Sequence, residues 1–462
     1  MAARMSHALT HCTQLTRRDM VRMAVTKSSP LLVGPAIEPD QRTTPPAAGV
    51  RTIDVSSFDK PLAFSPFTSF AIFTQAIREP AETIRKALSR ALVHYPPIAG
   101  RAVVGAGDEI RIACTGEGVE FVAARASCAL ADVGLFDQPF AALLRELAVD
   151  YAAGHCREAD PLLLMQVTVF SCGGFVVGTT WNHVVADGTG IAQFLQGVGD
   201  LARGLPRPSV PPVCCGDTPP LPELPPLVTA LEKGVVSQEH KDFVYLDITV
   251  PSSCIDRIKA EYRAGNPDDE ACTVFEAVTA VLWQCRTRAV MSDDSGAADT
   301  PAPLIFAANV RKHVGAMDGY YSNCITSQVV APTSRVVADS DINDVVRIIK
   351  RAKKQILAQF IAPAGEEKGD GGVSAEQLAD GALFGYSSFY VLSWRNLGFG
   401  EADFGGGTPA RVMCHVDPSS APSCVACLPC ATKDGASVLS RCVKEEHVDA
   451  FVAELAKFSS KF

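Results

Sequence analysis

Two short apolar runs, Leu162 to Phe170 and Phe175 to Trp181, flank the small link Ser171-Cys172-Gly173-Gly174. β-rich runs joined by a short Gly-containing connection predict a hairpin. From Thr189 the apolar positions change to helical spacing, with Ile191, Phe194, Leu195, Val198 and Leu201 on one face, and this predicts a buried amphipathic helix. Between strand and helix lies Trp181-Asn182-His183-Val184-Val185-Ala186-Asp187-Gly188. His183 is therefore expected in a strand-to-helix loop, where a rigid scaffold can present an imidazole to a substrate. Imidazole is also the side chain best suited to take a proton near neutral pH. Asp187, four residues on, is placed to fix either the loop or the ring.

The same patterning sets out the rest of the chain. Ala81 to His94 carries Ile84, Leu88, Ala91 and Leu92 on one helical face and stops at Tyr95-Pro96-Pro97, since proline cannot continue a helix. Phe140, Leu143, Leu144 and Leu147 mark another helix. Leu205 to Leu227 is crowded with proline and reads as a semi-rigid crossover between two halves of similar size. In the second half a strand is expected from Phe243 to Val250. Thr273-Val274-Phe275-Glu276 is a capping box, opening a helix through Val278, Val281, Leu282 and Cys285. Leu304 to Val310 reads as a buried strand leading into Arg311. Ser340 is expected to cap a long helix with Val345, Ile348, Ile349, Ala352, Ile356 and Phe360 on its apolar face. A polar glycine-rich loop follows at Gly365 to Gly372, then a strand from Phe389 to Trp394 and a closing helix from Val448 to Phe458. Helices and strands alternate without a regular β-α-β period, which suggests two mixed α/β sandwiches.

Composition narrows the function classes. A chain of 462 residues is too long for one simple core, so two domains are expected. At 47% hydrophobic and 20% charged it has the make-up of a soluble globular protein. A net charge of −9 argues against nucleic acid and anionic membranes as partners, and no apolar run is long enough to span a bilayer. Sixteen cysteines are scattered singly without a secretory signal, which fits reduced thiols and a cytoplasmic location. The exception is Cys424-x-x-Cys427-x-x-Cys430, with Cys414, His415 and Cys442 nearby. It lies in an apolar run and lacks two separated ligand pairs, so no metal is expected. Up to Met20 the chain carries Arg4, Arg17 and Arg18 and no acid before Asp19, a composition open to a transit peptide. A disordered extension over residues 1–26 is the preferred reading.

His183-x-x-x-Asp187-Gly188, the segment Tyr95-Pro96-Pro97-Ile98-Ala99-Gly100-Arg101 and a later Asp403-Phe404-Gly405-Gly406-Gly407 together resemble the plant BAHD acyltransferases. That family usually reads Asp-Phe-Gly-Trp-Gly at the last motif. The resemblance runs from about Lys27 to the C-terminus. It implies two chloramphenicol-acetyltransferase-like mixed α/β sandwich domains over residues 27–204 and 236–462, joined by the Pro-rich crossover 205–235. Part of the later chain, around residues 385–410, would return to complete the first domain.

By the same resemblance the chain is a monomeric cytoplasmic enzyme with acyl-CoA as co-substrate and no bound cofactor. It would transfer an aromatic acyl group, benzoyl or hydroxycinnamoyl, to the amine or hydroxyl of a small acceptor, with His183 as general base. Asp187 would hold the loop through an ion pair. Arg311 is a candidate partner for Asp187 or for Asp403. Asp403, Gly405 and Gly407 form a structural motif, and Gly406 leaves local packing without the usual ring. Leu392 stands where relatives carry the hydroxyl that reaches the oxyanion, leaving Ser393 or a backbone N–H to do so. Trp394 and, from a Gly-Tyr-Phe-Gly-Asn-like stretch, Asn323 are expected to line the substrate pocket. Two other readings are a condensation-type enzyme using a carrier-protein thioester, which would carry a second histidine where Asn182 stands, and a non-catalytic binding protein on the same fold.

Overall fold

The computed structural model describes residues 23–36, 50–107, 109–135, 141–152, 154–226, 228–231, 242–291, 300–361, 385–415, 421–429 and 434–459. The arginine-bearing N-terminal stretch up to Met20, the loop Gly365 to Gly372 and Cys430 lie outside them.

Strands β1 (Val25–Lys27), β2 (Leu31–Val33), β3 (Thr52–Asp54) and β4 (Pro66–Phe73) lead into helix α1 (Pro80–Ala91). Next come β5 (Arg101–Val104), β6 (Ile110–Ala113), β7 (Val119–Ala126), β8 (Leu163–Val169), β9 (Phe175–Asn182) and α2 (Gly188–Ala202). After the proline-rich crossover the chain forms β10 (Leu246–Val250), α3 (Ser252–Gly265), α4 (Val274–Val290), β11 (Leu304–Asn309), β12 (Ile325–Val330) and α5 (Ile342–Gln355). It ends with β13 (Phe389–Ser393), β14 (Arg411–His415), β15 (Ser423–Cys427), β16 (Ala436–Arg441) and α6 (Val448–Ser459).

Two mixed sheets carry the fold. The first runs β1-β7-β8-β9-β4-β14, with β2 also on β7; the second runs β10-β16-β15-β13-β11-β12. Helix α1 packs on α2 over the first sheet, and α4 packs on α5 and α6 over the second. Each sheet has its own apolar core. Every residue of β9 is buried, the polar Thr179, Thr180 and Asn182 included.

The first sheet is not completed by its own half of the chain. β14 lies antiparallel to β4, with His415 opposite Thr68. This corrects the expected window of 385–410: that stretch contains β13, which belongs to the second sheet, and the returning strand starts at Arg411. Arg411 ties the sheets together through Asp247 of β10 at 2.8 Å, both side chains 1% exposed. Breaking such a pair from one side strands a buried charge. The expected extension of residues 1–26 is corrected at its end, where Val25–Lys27 is a strand paired with β7.

Local chemistry explains the helix starts. Thr273 and Glu276 close the capping box of α4 reciprocally, at 3.2 Å and 2.8 Å. α5 is capped by Asp341, whose carboxylate accepts the Asn343 N–H, and not by Ser340. The Ser340 carbonyl is taken instead by the Gln284 amide of α4. Among the described residues no helix is long and apolar enough to cross a membrane.

Candidate active site

The loop after β9 is fixed residue by residue. Asn182, the last residue of β9, accepts the N–H groups of Phe64 and Val184 on its side-chain oxygen, both at 3.0 Å. The His183 N–H donates to the Ser65 carbonyl at 2.9 Å, and the Trp181 indole donates to the Ala186 carbonyl at 3.0 Å. Asp187 is the N-cap of α2, accepting the Gly190 N–H at 3.0 Å. Gly190 has to be glycine: an added Cβ would lie 1.8 Å from the Tyr321 carbonyl oxygen.

The His183 ring is buried, with the Phe67 ring edge-on at 4.7 Å. Its Nδ1 has no hydrogen-bond partner among the described residues. Burial lowers the imidazole below its ordinary pKa, and the Asp187 carboxylate offsets this only in part. The ring is therefore neutral at neutral pH, the form that accepts a proton.

Both acceptor oxygens of Asp187 are fully engaged away from that ring. Arg311 grips it with two hydrogen bonds of 2.8 Å, and the Cys324 N–H adds a third contact at 3.0 Å beside the one from Gly190. With Arg311 also donating to the carbonyls of Tyr320 and Ser322, the pair locks the loop of the first sheet to the 320–324 segment of the second half. Of the two acids open to Arg311 in the sequence, the structure places Asp187 there. Asp403 lies near Arg203 at 3.6 Å instead, and its Oδ1 accepts the N–H groups of Gly405 and Gly407 at 2.8 and 2.9 Å. Those two glycines sit at φ 111° and 93°, so the three-glycine loop is a pinned turn. At Gly406 an added Cβ would lie 2.8 Å from the Ile77 side chain, so a larger residue there would require that side chain to shift.

His183 opens onto a cavity of about 1490 Å³ between the two sheets. Phe64, Phe67, Trp181, Phe275, Phe306, Tyr390 and Trp394 give it aromatic walls, and Leu392 and Ser393 lie beside Trp394. The Trp394 ring stacks on Phe399 at 4.9 Å, and its backbone N–H donates to the Ala426 carbonyl at 2.7 Å. No cysteine lines the cavity among the described residues.

Asn323 is not a wall of that cavity, contrary to expectation. It is fully buried behind the loop, where its amide bonds Asp59 and the His183 carbonyl, each at 2.7 Å. Sequence reasoning placed Asp59 only within Thr52 to Lys60, a segment resembling the family's opening strand and turn, and gave it no role at the site. The signal was a Ser-x-x-Asp turn, Ser56 to Asp59, shortly after the short strand β3 and around a buried Phe58. Sequence reasoning also passed over Phe67, in a stretch given no element, and Phe306 and Tyr390, which read only as strand positions.

Cys424 and Cys427 lie three apart on a strand and so project to opposite faces. Cys424 joins the second core and is in contact with Cys442, whereas Cys427 joins the first and is in contact with Cys414. Strand geometry denies these two a shared ion. No cluster of three or more His, Cys, Asp or Glu suited to a metal occurs among the described residues.

Tyr321, where the family's stretch has Phe, is buried against Tyr95 at 5.0 Å, and its hydroxyl has no partner among the described residues. Removing an unpartnered buried hydroxyl relieves its desolvation. Tyr321→Phe is expected to keep kcat and to melt at or above the parent temperature, by up to about 1 kcal/mol. A lower melting temperature would mean that the hydroxyl is engaged.

The family model described as Transferase family matches residues 37–457. The chain is 41% identical over 454 residues to Acyl transferase 15 of Oryza sativa subsp. japonica, covering 95% of this chain and 99% of that one. It is 32% identical to myricetin 3-O-glucosyl 1,2-rhamnoside 6'-O-caffeoyltransferase AT1 of Crocosmia x crocosmiiflora, covering 94% and 99%. Among solved structures it resembles vinorine synthase, with TM-score 0.65, 19% identity and coverage of 94% and 98%. It also resembles F. sporotrichioides TRI101 complexed with coenzyme A and T-2, with TM-score 0.63, 16% identity and coverage of 88% and 98%.

Proposed function

Since the chain belongs to the Transferase family and is a plant BAHD acyltransferase with acyl-CoA as co-substrate, we propose that it transfers an aromatic acyl group to a hydroxyl of a small metabolite, with His183 as general base. The observation that carries this reading is the neutral His183 imidazole on the wall of a large aromatic cavity between the sheets. The preference for oxygen over nitrogen rests on relatives named as O-acyltransferases. An acceptor O–H gives its proton to His183 as its oxygen attacks the thioester carbonyl. The tetrahedral oxyanion then collapses, the C–S bond breaks, and coenzyme A thiolate takes the proton back from the imidazolium. Ser393 is the side-chain donor for the oxyanion, since the neighbouring backbone N–H of Trp394 is already committed to the Ala426 carbonyl. Asp187 and Arg311 hold the loop, and Asp403, Gly405 and Gly407 hold a turn away from the chemistry. We place the reaction in the cytoplasm, carried out by a monomer whose two halves, 27–204 and 236–462, meet at the cavity.

Covalent transfer would need an activated nucleophile beside the base, and the lack of cysteine among the described residues of the cavity supports direct attack within a ternary complex. Initial rates with benzoyl-CoA or a hydroxycinnamoyl-CoA and an alcohol acceptor, followed by thiol release, are expected to give intersecting reciprocal plots. Parallel plots, or an acyl adduct on the intact protein after donor alone, would refute the mechanism. No thiol release with any aromatic donor would refute the donor class.

A further inference from the structure

Behind the catalytic loop lies a buried carboxylate with no place in the reaction described above. Asp59 is 0% exposed, in the turn that follows β3. Its two oxygens do different work. Oδ2 accepts the N–H and hydroxyl of Ser56, at 2.8 and 2.5 Å, and so closes its own turn. Oδ1 accepts from Asn323 twice, from the backbone N–H at 3.1 Å and from Nδ2 at 2.7 Å. The second Nδ2 hydrogen of Asn323 goes to the His183 carbonyl at 2.7 Å.

The orientation of that amide follows from chemistry. A carboxylate oxygen and a peptide carbonyl are both pure acceptors, so only the NH₂ end can face them. The Asn323 oxygen is left without a partner among the described residues, which is the cost of serving both. Since the His183 N–H is already held by Ser65, the Asn323 bond fixes the remaining polar group of the His183 backbone. The next residue, Cys324, holds Asp187 at the other end of the loop. The turn carrying Asp59 is itself anchored in the second core by Phe58, stacked on Phe360 at 6.1 Å.

We propose that Asp59 is a positioning residue for acyl transfer: through Oδ1 it orients the Asn323 amide, which holds the His183 backbone and so aims the imidazole at the acceptor. This rests on the reading of His183 as base. Displacing a base by about 1 Å costs up to about a hundredfold in rate while leaving substrate binding nearly intact.

The test compares the two sides of the carboxylate. Asp59→Asn and Asn323→Ala are expected to lower kcat by about tenfold or more, with KM for donor and acceptor within about twofold of the parent. Ser56→Ala touches only the Oδ2 side; it is expected to lower the melting temperature and keep parental kcat. Parental kcat in folded Asp59→Asn would overturn the proposal. So would a kcat loss in Ser56→Ala equal to that in Asp59→Asn, because the network would then act through stability alone. If Asp59→Asn does not fold, Asn323→Ala against Ser56→Ala decides, and equal kcat in those two overturns it. His183→Ala, assayed alongside, separates the two layers: activity retained there sinks the base assignment, whereas activity lost only there sinks the role of Asp59.

Discussion

Replacing His183 with alanine is expected to lower kcat by about a hundredfold or more while the protein still folds, because general base catalysis contributes on that scale. Little stability should be lost. The ring makes no hydrogen bond through Nδ1 among the described residues, and its main ring contact is the edge of Phe67. Thiol release and thermal melting measured on the same sample check this; more than about a tenth of the parental rate would contradict it. The pH profile gives an independent sign. Burial disfavours the charged imidazole, so the ring keeps its neutral, base-competent form to lower pH than an ordinary histidine. The acid limb of kcat should therefore fall below the usual imidazole range. A limb above that range would mean that the group titrating is not this one.

Asp187→Ala, or the loss of Arg311, is expected to show the opposite signature, with stability and activity falling together. The pair is 2.8 Å apart with side chains 2% and 13% exposed, and each removal leaves the other charge buried. Breaking such a pair typically costs roughly 3–5 kcal/mol. The same change frees the N-terminus of α2 and the Cys324 N–H, so the loop carrying His183 loses three anchors at once. Melting temperature and soluble yield should drop along with kcat. If Asp187→Ala melts like the parent yet does not turn over, the carboxylate takes part in proton transfer and its structural assignment is wrong.

Much of this site could be read from the sequence, and the reason is local. The hairpin is written as two β-rich runs about a short Gly-containing link and α2 as a 3.6-residue period, both over short stretches, so the position of His183 between them follows from patterning. What could not be read depends on which distant segments meet. Arg311 had two acids to choose from, and only the docking of the 320–324 segment on the loop decides for Asp187. Asn323 is expected in the pocket from the likeness of its stretch to the family's Gly-Tyr-Phe-Gly-Asn; its side chain faces the back of the loop instead. Asp59 sits 124 residues before His183, and nothing in the intervening chain announces that they share a partner. Cys424 and Cys427 illustrate the converse: a spacing suggestive of a metal loses that meaning once the segment is a strand.

The return of β14 to the first sheet has a consequence for the order in which the molecule can be made. A growing chain that has already produced β4, β9 and His183 still presents β4 as an open edge. Its neighbour, residues 411–415, emerges only after nearly the whole polypeptide has been synthesised. An exposed edge strand is a site for mispairing, and sheets closed by distant segments form late. Asn323 and Arg311, which hold the His183 loop, also come from the later half. Hairpin and loop can form early, but the base acquires its final setting only when Arg311, Asn323 and residues 411–415 have come back onto it, so a prematurely terminated chain would carry an intact histidine motif and no enzyme.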